Sequence, residues 1–114
     1  MTTRTETLQL LNDWLAGKIS PREVWGWASG VKEAEYQPED ELVRDVIDVL
    51  EQLPVDLIIL EDAEVMVYAL SNPPAEADLG QNLLWNHLDG IDADARRRSL
   101  ADDEFYGPFC GDVM

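Results

Sequence analysis

Two apolar runs dominate the hydropathy pattern of the chain, and both lie between residues 38 and 70. The first run covers residues 42–53 and the second covers residues 55–70, with only Pro54 between them. In the first run the apolar side chains recur every three or four positions, which places them on one face of a helix. The second run is apolar around most of its circumference, as is typical of a central helix. We therefore expect the other elements to pack around residues 38–70.

Local capping signals predict two short helices before this segment. Residues 3–6 have the capping-box spacing, and the apolar repeat that follows predicts helix 1 at about residues 5–16. A serine, a proline and a glutamate in residues 20–23 form the strongest helix start of the chain. Helix 2 is therefore predicted over residues 21–29, with Gly30 as its stop. The two helices are expected to form an N-terminal helical hairpin.

Proline and aspartate residues mark the boundaries of the later helices. We expect helix 3 to open at Pro38 and to end at Pro54, and helix 4 to follow with Asp56 as its cap. Helix 5 is predicted over residues 75–89, and Asp92 is expected to cap a short last helix. Four leucines of helix 5 are expected to face the core: Leu79, Leu83, Leu84 and Leu88.

Together these patterns predict an all-α fold, a single-domain bundle of five to six helices over residues 1–114. A chain of 114 residues is long enough to bury one core without disulfides or a metal ion. Residues 102–114 form an aromatic-containing C-terminal tail, which we expect to fold back onto that core.

The charge of the chain is unusual, because 24 acidic residues stand against eight Lys and Arg, giving a formal net charge of −16. No Lys or Arg occurs in residues 45–95, which contain twelve Asp and Glu residues. A charge of this size repels nucleic-acid phosphates and anionic membrane surfaces. The composition therefore favours a basic protein partner and excludes direct binding of nucleic acid or membrane.

Cysteine content and hydropathy indicate the cellular compartment in which we expect the protein. The one cysteine, Cys110, cannot form an internal disulfide, which is typical of a reducing compartment. No segment has the roughly 18 apolar residues of a membrane span, and the N-terminus has no apolar core of a signal peptide. We expect a cytoplasmic protein that is a monomer or a homodimer.

Two sets of residues are candidates for partner binding. Glu41, Asp45 and Asp48 are spaced to stack on the polar face of helix 3, where a cationic partner would relieve their repulsion. An ordinary solvated face is the alternative. Trp25 and Trp27 point roughly 200° apart on a helix, so at least one is expected near the surface, although packing within the hairpin also explains them.

Asp62 and His87 are the candidates for a small-ligand or acid–base site. Asp62 falls within the apolar arc of helix 4, where a carboxylate needs a partner or has a raised pKa. The alternative is that the helix starts later and leaves Asp62 in an exposed first turn. His87 lies between two leucines on the helical wheel, a position typical of a hydrogen-bonded boundary histidine.

The only basic cluster is formed by Arg96, Arg97 and Arg98 near the C-terminus. Consecutive side chains splay around a helix, so the three arginines do not make one phosphate cradle. We expect them to pair with acidic groups of the same chain, with a phosphate or acidic-partner site as the alternative.

Several chemistries are excluded by composition. With one His and one Cys, a single chain cannot build a cysteine or histidine zinc site, and glycine-rich phosphate loops are missing. We expect no metal, no cofactor and no catalysis. The leading hypothesis is a non-catalytic module that masks or engages a basic partner, comparable in charge and size to small acidic immunity proteins and antitoxins. The alternatives are a ligand site at His87 and Asp62, or acidity that serves solubility or salt adaptation.

Overall fold

The all-α prediction is confirmed. The computed structural model describes residues 3–33, 37–72 and 76–110. Within these ranges the chain forms six α-helices and no strand, and none of the helices has the length and apolarity needed to cross a bilayer. In chain order they are α1 (Arg4–Leu15), α2 (Pro21–Glu33), α3 (Glu41–Glu51), α4 (Leu60–Leu70), α5 (Ala77–Asp89) and α6 (Ala93–Leu100). The predicted start of helix 5 at residue 75 lies outside the described residues.

Side-chain caps begin α1 and α2, as predicted from the sequence. The hydroxyl of Thr3 accepts a hydrogen bond from the Glu6 amide at 3.1 Å, and that of Ser20 accepts one from the Glu23 amide at 3.2 Å. After α1 the chain turns at Gly17, whose φ of +76° lies in the left-handed region that favours glycine. The short turn brings α2 back against α1, while α1 also packs on α4 and α2 on α3.

Helix α2 is longer than predicted, because it continues past Gly30 to its end at Glu33. Val31 packs against the core, and the Lys32 ammonium forms ion pairs with Asp48 and with Glu51, the latter at 2.6 Å. These two carboxylates raise the pKa of Lys32 above its usual range. Contacts with α3 thus stabilise an additional turn that the glycine alone disfavours.

Helices α3 and α4 both begin later than predicted. The carboxylate of Asp40, rather than Pro38, begins α3 by accepting a hydrogen bond from the Val43 amide at 2.9 Å. Asp56 does not cap α4, because Leu57 has a φ of +55°, a left-handed conformation that interrupts a helix. Residues 52–59 therefore form an irregular connection between α3 and α4.

The core lies where the apolar pattern placed it, but the two helices differ from their predicted roles. Seven of the eleven residues of α3 are buried, compared with five of the eleven residues of α4. Leu60 and Tyr68 of α4 are exposed. Helix α3 is therefore the more deeply buried of the two, and α4 presents one face to solvent.

Helix α5 packs closely and antiparallel against α4 at Gly80. A Cβ atom on Gly80 would lie 3.0 Å from the carbonyl oxygen of Ala69 and 2.6 Å from a methyl group of Leu42. The two backbones can approach each other at this point because residue 80 has no side chain.

This contact also determines which face of α5 is inside. Leu84 lies one turn after Gly80 and is fully buried, whereas Leu79 and Leu83 are exposed. The prediction that all four leucines of helix 5 face inward is therefore wrong for these two. Helical periodicity identifies the apolar arc of α5, but the contact at Gly80 decides its rotation about the helix axis.

The aromatic tail folds back onto the core, as expected, over its described part. Phe105 and Tyr106 are buried, and the ring of Phe105 lies 5.9 Å from that of Trp25. The hydroxyl of Tyr106 donates a hydrogen bond to the carbonyl of Ile58, and burial raises the pKa of Tyr106 above its usual range. Residues 111–114 of the tail lie outside the described residues.

Candidate functional site

A buried carboxylate, that of Asp62, joins three helices and the connection between α3 and α4. Asp62 lies in the first turn of α4, and Arg96 of α6 donates to both of its oxygens, at 2.5 and 2.9 Å. The Ile59 amide donates to one oxygen at 2.8 Å, and His87 Nε2 of α5 lies 2.7 Å from the other. Arg96 also donates to the carbonyl of Leu57 at 3.2 Å. We call Asp62, His87 and Arg96 the Asp62 cluster.

Opposing influences determine the ionisation of this carboxylate. Burial is the largest influence and raises the pKa of Asp62, because it removes the charged form from water. Hydrogen bonds from Arg96, from the Ile59 amide and from His87 together outweigh burial and hold the pKa below its ordinary value. Asp62 is therefore ionised at neutral pH.

The hydrogen-bonding positions of Asp62 are filled by neighbouring groups. A carboxylate has about four acceptor positions, and those of Asp62 meet two groups of Arg96, one of Ile59 and one of His87. Asp62 lies in the first turn of its helix, as one alternative held, but it is buried rather than exposed. His87 is half-buried and hydrogen-bonded, as predicted for a boundary histidine. These contacts support a structural role for the cluster, and an acid–base or small-ligand role of Asp62 and His87 stays a prediction.

The expected pairing of the arginine cluster within the chain is confirmed for two of its members. Arg96 binds Asp62, and Arg97 forms an ion pair with Asp94 in the preceding turn of α6. Arg98 is exposed.

A second buried carboxylate, that of Asp45, joins α3 to α5. It accepts hydrogen bonds from Gln81 Nε2 at 2.8 Å and from Trp85 Nε1 at 3.2 Å. The side chain of Arg44 lies 3.5 Å from its other oxygen. Asp45 is only 7% exposed, so these donors replace the water that the carboxylate loses on folding.

The predicted outward row of acids on helix 3 is therefore wrong as a continuous exposed surface. Glu41 is exposed, but Asp45 is buried against α5, and Asp48 is half-buried in its ion pair with Lys32. The sequence spacing correctly places the three acids on one side of α3. It could not show that α5 and Lys32 cover part of that side. Partner binding by these residues stays a prediction.

The two candidate tryptophans of α2 are both half-buried and pack against the core. Trp25 Nε1 donates to the carbonyl of Glu51 at 2.8 Å, and its ring lies 6.1 Å from that of Phe109. The packing role considered for Trp25 thus has direct structural support. A role of Trp25 or Trp27 in partner binding stays a prediction.

An exposed apolar surface that the sequence pattern did not predict lies on α4 and α5. Tyr68 is 67% exposed and Leu79 is 60% exposed. Leu83 is also exposed, and Val65 is half-buried beside it in a shallow depression of about 480 Å³. We call Val65, Tyr68, Leu79 and Leu83 the α4–α5 face. Its leucines belong to the apolar arc predicted for helix 5, but the prediction that they face inward is wrong.

The border of the α4–α5 face is acidic. Glu64 lines the depression, together with the polar side chains of Asn86 and His87. Two acidic residues near the start of α5, Glu76 and Asp78, are exposed as well, whereas Glu61 of α4 lies 3.6 Å from Arg96 of α6. The face thus combines exposed apolar side chains with carboxylates on the same two helices.

No arrangement typical of a metal site occurs in the described residues, where no group of three or more His, Cys, Asp or Glu side chains could hold an ion. Comparison of the chain with protein-family models, with curated proteins and with solved structures finds no match. The chemistry of the described surfaces is therefore the basis for a functional proposal.

Proposed function

We propose that this protein is a non-catalytic binding module that engages a basic protein partner through the α4–α5 face. The observation that carries the proposal is the exposure of Tyr68, Leu79 and Leu83 beside acidic residues of the same helices. Contiguous exposed apolar surface with a polar border is typical of protein–protein interaction sites.

The apolar residues of the face would supply the binding energy. Burial of exposed apolar surface is favourable, and tyrosine is enriched among the residues that dominate interface affinity. Leu79 and Leu83 are one turn apart on α5, so they present a row parallel to the helix axis. A partner helix with apolar residues at three- and four-residue spacing would fit such a row.

The acidic border favours a basic partner over a neutral one. Glu64 lines the depression, Asp78 directly precedes Leu79, and both are exposed, while the segment 45–95 that contains the face has no Lys or Arg. A net charge of −16 would also steer a cationic protein toward the molecule and make its association rate depend on salt. We therefore propose an amphipathic helix flanked by Lys and Arg as the bound element.

The alternative of an acid–base or small-ligand site at His87 and Asp62 has one observation in its favour, since the two side chains are in contact and His87 lines the depression. Its weakness is that Arg96 compensates the negative charge of Asp62 and donates a hydrogen bond to each of its two oxygens. A binding role for the α4–α5 face has the stronger support.

The test combines site-specific cross-linking with measured affinity. A photo-cross-linking amino acid at Asn86, beside the face, is compared with the same group at Glu23, which is exposed on α2. We expect a basic protein to cross-link through position 86 and not through position 23. The affinity of the identified protein is then measured with the purified wild type and with the Tyr68→Ser/Leu79→Ser double variant.

The double variant is expected to weaken binding at least tenfold, and raising the salt concentration is expected to weaken binding to the wild type. Val55→Ser is the matched control, because Val55 is equally exposed but lies in the connection between α3 and α4. Unchanged affinity of the double variant, or a partner without net positive charge, would show that the proposal is wrong.

A further inference from the structure

A separate surface pocket lies on the other side of α5, between α3 and the start of α6. Its volume is about 440 Å³, which is within the range of small-ligand sites. Apolar side chains contribute much of the lining, among them Val49, Ile58, Leu88 and Ile91. Trp85 also lines it. We call this cavity the Trp85 pocket.

Trp85 is an exposed aromatic residue that the fold holds in place. Its side chain leaves the residue 43% exposed, while its indole nitrogen donates to the buried carboxylate of Asp45 at 3.2 Å. Asp45 is fixed in turn by Gln81 at 2.8 Å. The indole is thus oriented before any ligand arrives, which lowers the entropy lost on binding.

The pocket has carboxylates but little compensating positive charge. Asp56 and Asp89 line it and are exposed, and neither forms an ion pair within the described part of the chain. Asp89 is the last residue of α5, where the negative end of the helix dipole disfavours a carboxylate. A third carboxylate, that of Asp48, is already bound by Lys32.

We propose that the Trp85 pocket binds an organic cation, an ammonium or guanidinium group carried on an alkyl chain. The alkyl chain would lie on the apolar lining, and the charged group would lie against the indole face and beside Asp56 and Asp89. Cation–π attraction is strongest for tryptophan, and two unpaired carboxylates add a Coulombic contribution. A neutral alkyl ligand would gain only the binding free energy of contact with the apolar lining.

This chemistry occurs in the Lys and Arg side chains of proteins and in free polyamines. The pocket and the α4–α5 face are formed by different residues, so the proposal does not depend on the proposed function. If the source is a protein side chain, the pocket is a second contact for a basic partner. If it is a polyamine, the pocket is an independent small-ligand site.

The test is a titration of the ¹⁵N-labelled protein that follows the indole N–H resonance of Trp85. The probes are spermidine, N-acetyl-arginine amide and the uncharged analogue N-acetyl-norleucine amide. We expect a saturable shift with at least one cationic probe and none with the uncharged one. The Asp56→Asn/Asp89→Asn variant should bind that probe at least tenfold more weakly.

The matched control is the Glu6→Gln/Glu23→Gln variant, which removes two exposed acidic groups from α1 and α2. Its affinity is expected to change less than twofold, since those charges are outside the pocket. Saturation by N-acetyl-arginine amide alone identifies a protein side chain as the ligand, and saturation by spermidine alone identifies a polyamine. If neither cation gives a saturable shift of the Trp85 resonance, or if both double variants lose affinity equally, the Trp85 pocket is not a cation site.

Discussion

At the scale of single residues, Asp62 is the clearest case of an acid whose role depends on its neighbours. The same carboxylate on an exposed surface would contribute little to stability. Enclosed with Arg96, His87 and the Ile59 amide, it links α4, α5 and α6. Removal of one member of such a buried pair typically costs about 3–5 kcal/mol, because the remaining charge is left without its partner.

The pH dependence of stability provides a test of the Asp62 cluster. Because the pKa of Asp62 is lowered in the folded state, its stabilising contribution is present above the unfolded value, about 3.9, and is lost as the pH falls through the folded value. The free energy of unfolding of the wild type should therefore exceed that of Asp62→Asn most at pH 7. We expect this difference to shrink below about pH 4.

Chemical denaturation of both proteins between pH 3 and pH 7 measures this difference. Asp94→Asn is the control, since Asp94 is exposed on α6, and its effect should stay small throughout. A difference between wild type and Asp62→Asn that is equally large at pH 3 would contradict the proposed ionisation.

At the scale of the elements, α4 is held at both ends by arginines from distant parts of the chain. Arg96 binds the first turn of α4 through Asp62, and Arg4 of α1 donates to the carbonyls of Leu70 and Asn72 at 2.7 and 3.0 Å. Arg4 also forms an ion pair with Asp40, the cap of α3, at 2.7 Å. A segment without its own Lys or Arg thus obtains its cations through tertiary contacts.

The packing of α4 against α5 depends on Gly80. We expect Gly80→Ala to lower the free energy of unfolding by about 1–3 kcal/mol, because the added methyl group would clash with Leu42 and with the backbone at Ala69. Gly26→Ala is the matched control, since no atom lies within 4 Å of its added Cβ. This control should raise stability by about 0.5–1 kcal/mol, because alanine is the better helix former.

Urea denaturation of the three proteins measures both effects. A Gly80→Ala variant as stable as the wild type would show that α4 and α5 approach each other less closely than the structure has them. A destabilised Gly26→Ala variant would show that α2 does not tolerate the added methyl group.

At the scale of the whole molecule, the large negative charge opposes the compact state through self-repulsion. Raising the NaCl concentration from about 0.01 to 0.15 M shortens the Debye length from roughly 30 to 8 Å and screens this repulsion. We therefore expect the midpoint of thermal unfolding to rise over this range, by several degrees for each kcal/mol gained.

Thermal unfolding followed by circular dichroism at each salt concentration measures the effect, with KCl as a control for a specific role of sodium. A midpoint that falls or stays constant would contradict the dominance of self-repulsion. A midpoint that keeps rising steeply above 1 M salt would instead favour the hypothesis that the acidity is an adaptation to high salt.

The sequence by itself determined the approximate positions of the helices, several of their caps and the location of the core. Capping at Thr3, Ser20 and Asp92 depends on hydrogen bonds within a few residues, so local sequence is sufficient to predict it. The apolar repeats of residues 38–70 predicted the core for the same reason, since helical periodicity is a local property.

Only the tertiary structure decided which side chains of these helices face the solvent. The close contact at Gly80 turns Leu79 and Leu83 outward, and the covering of α3 by α5 buries Asp45. The partners of Asp62 come from positions 25 and 34 residues away in the chain. Periodicity fixes the relative directions of side chains within one helix, whereas the rotation of each helix and its long-range partners depend on the packing of all the helices together.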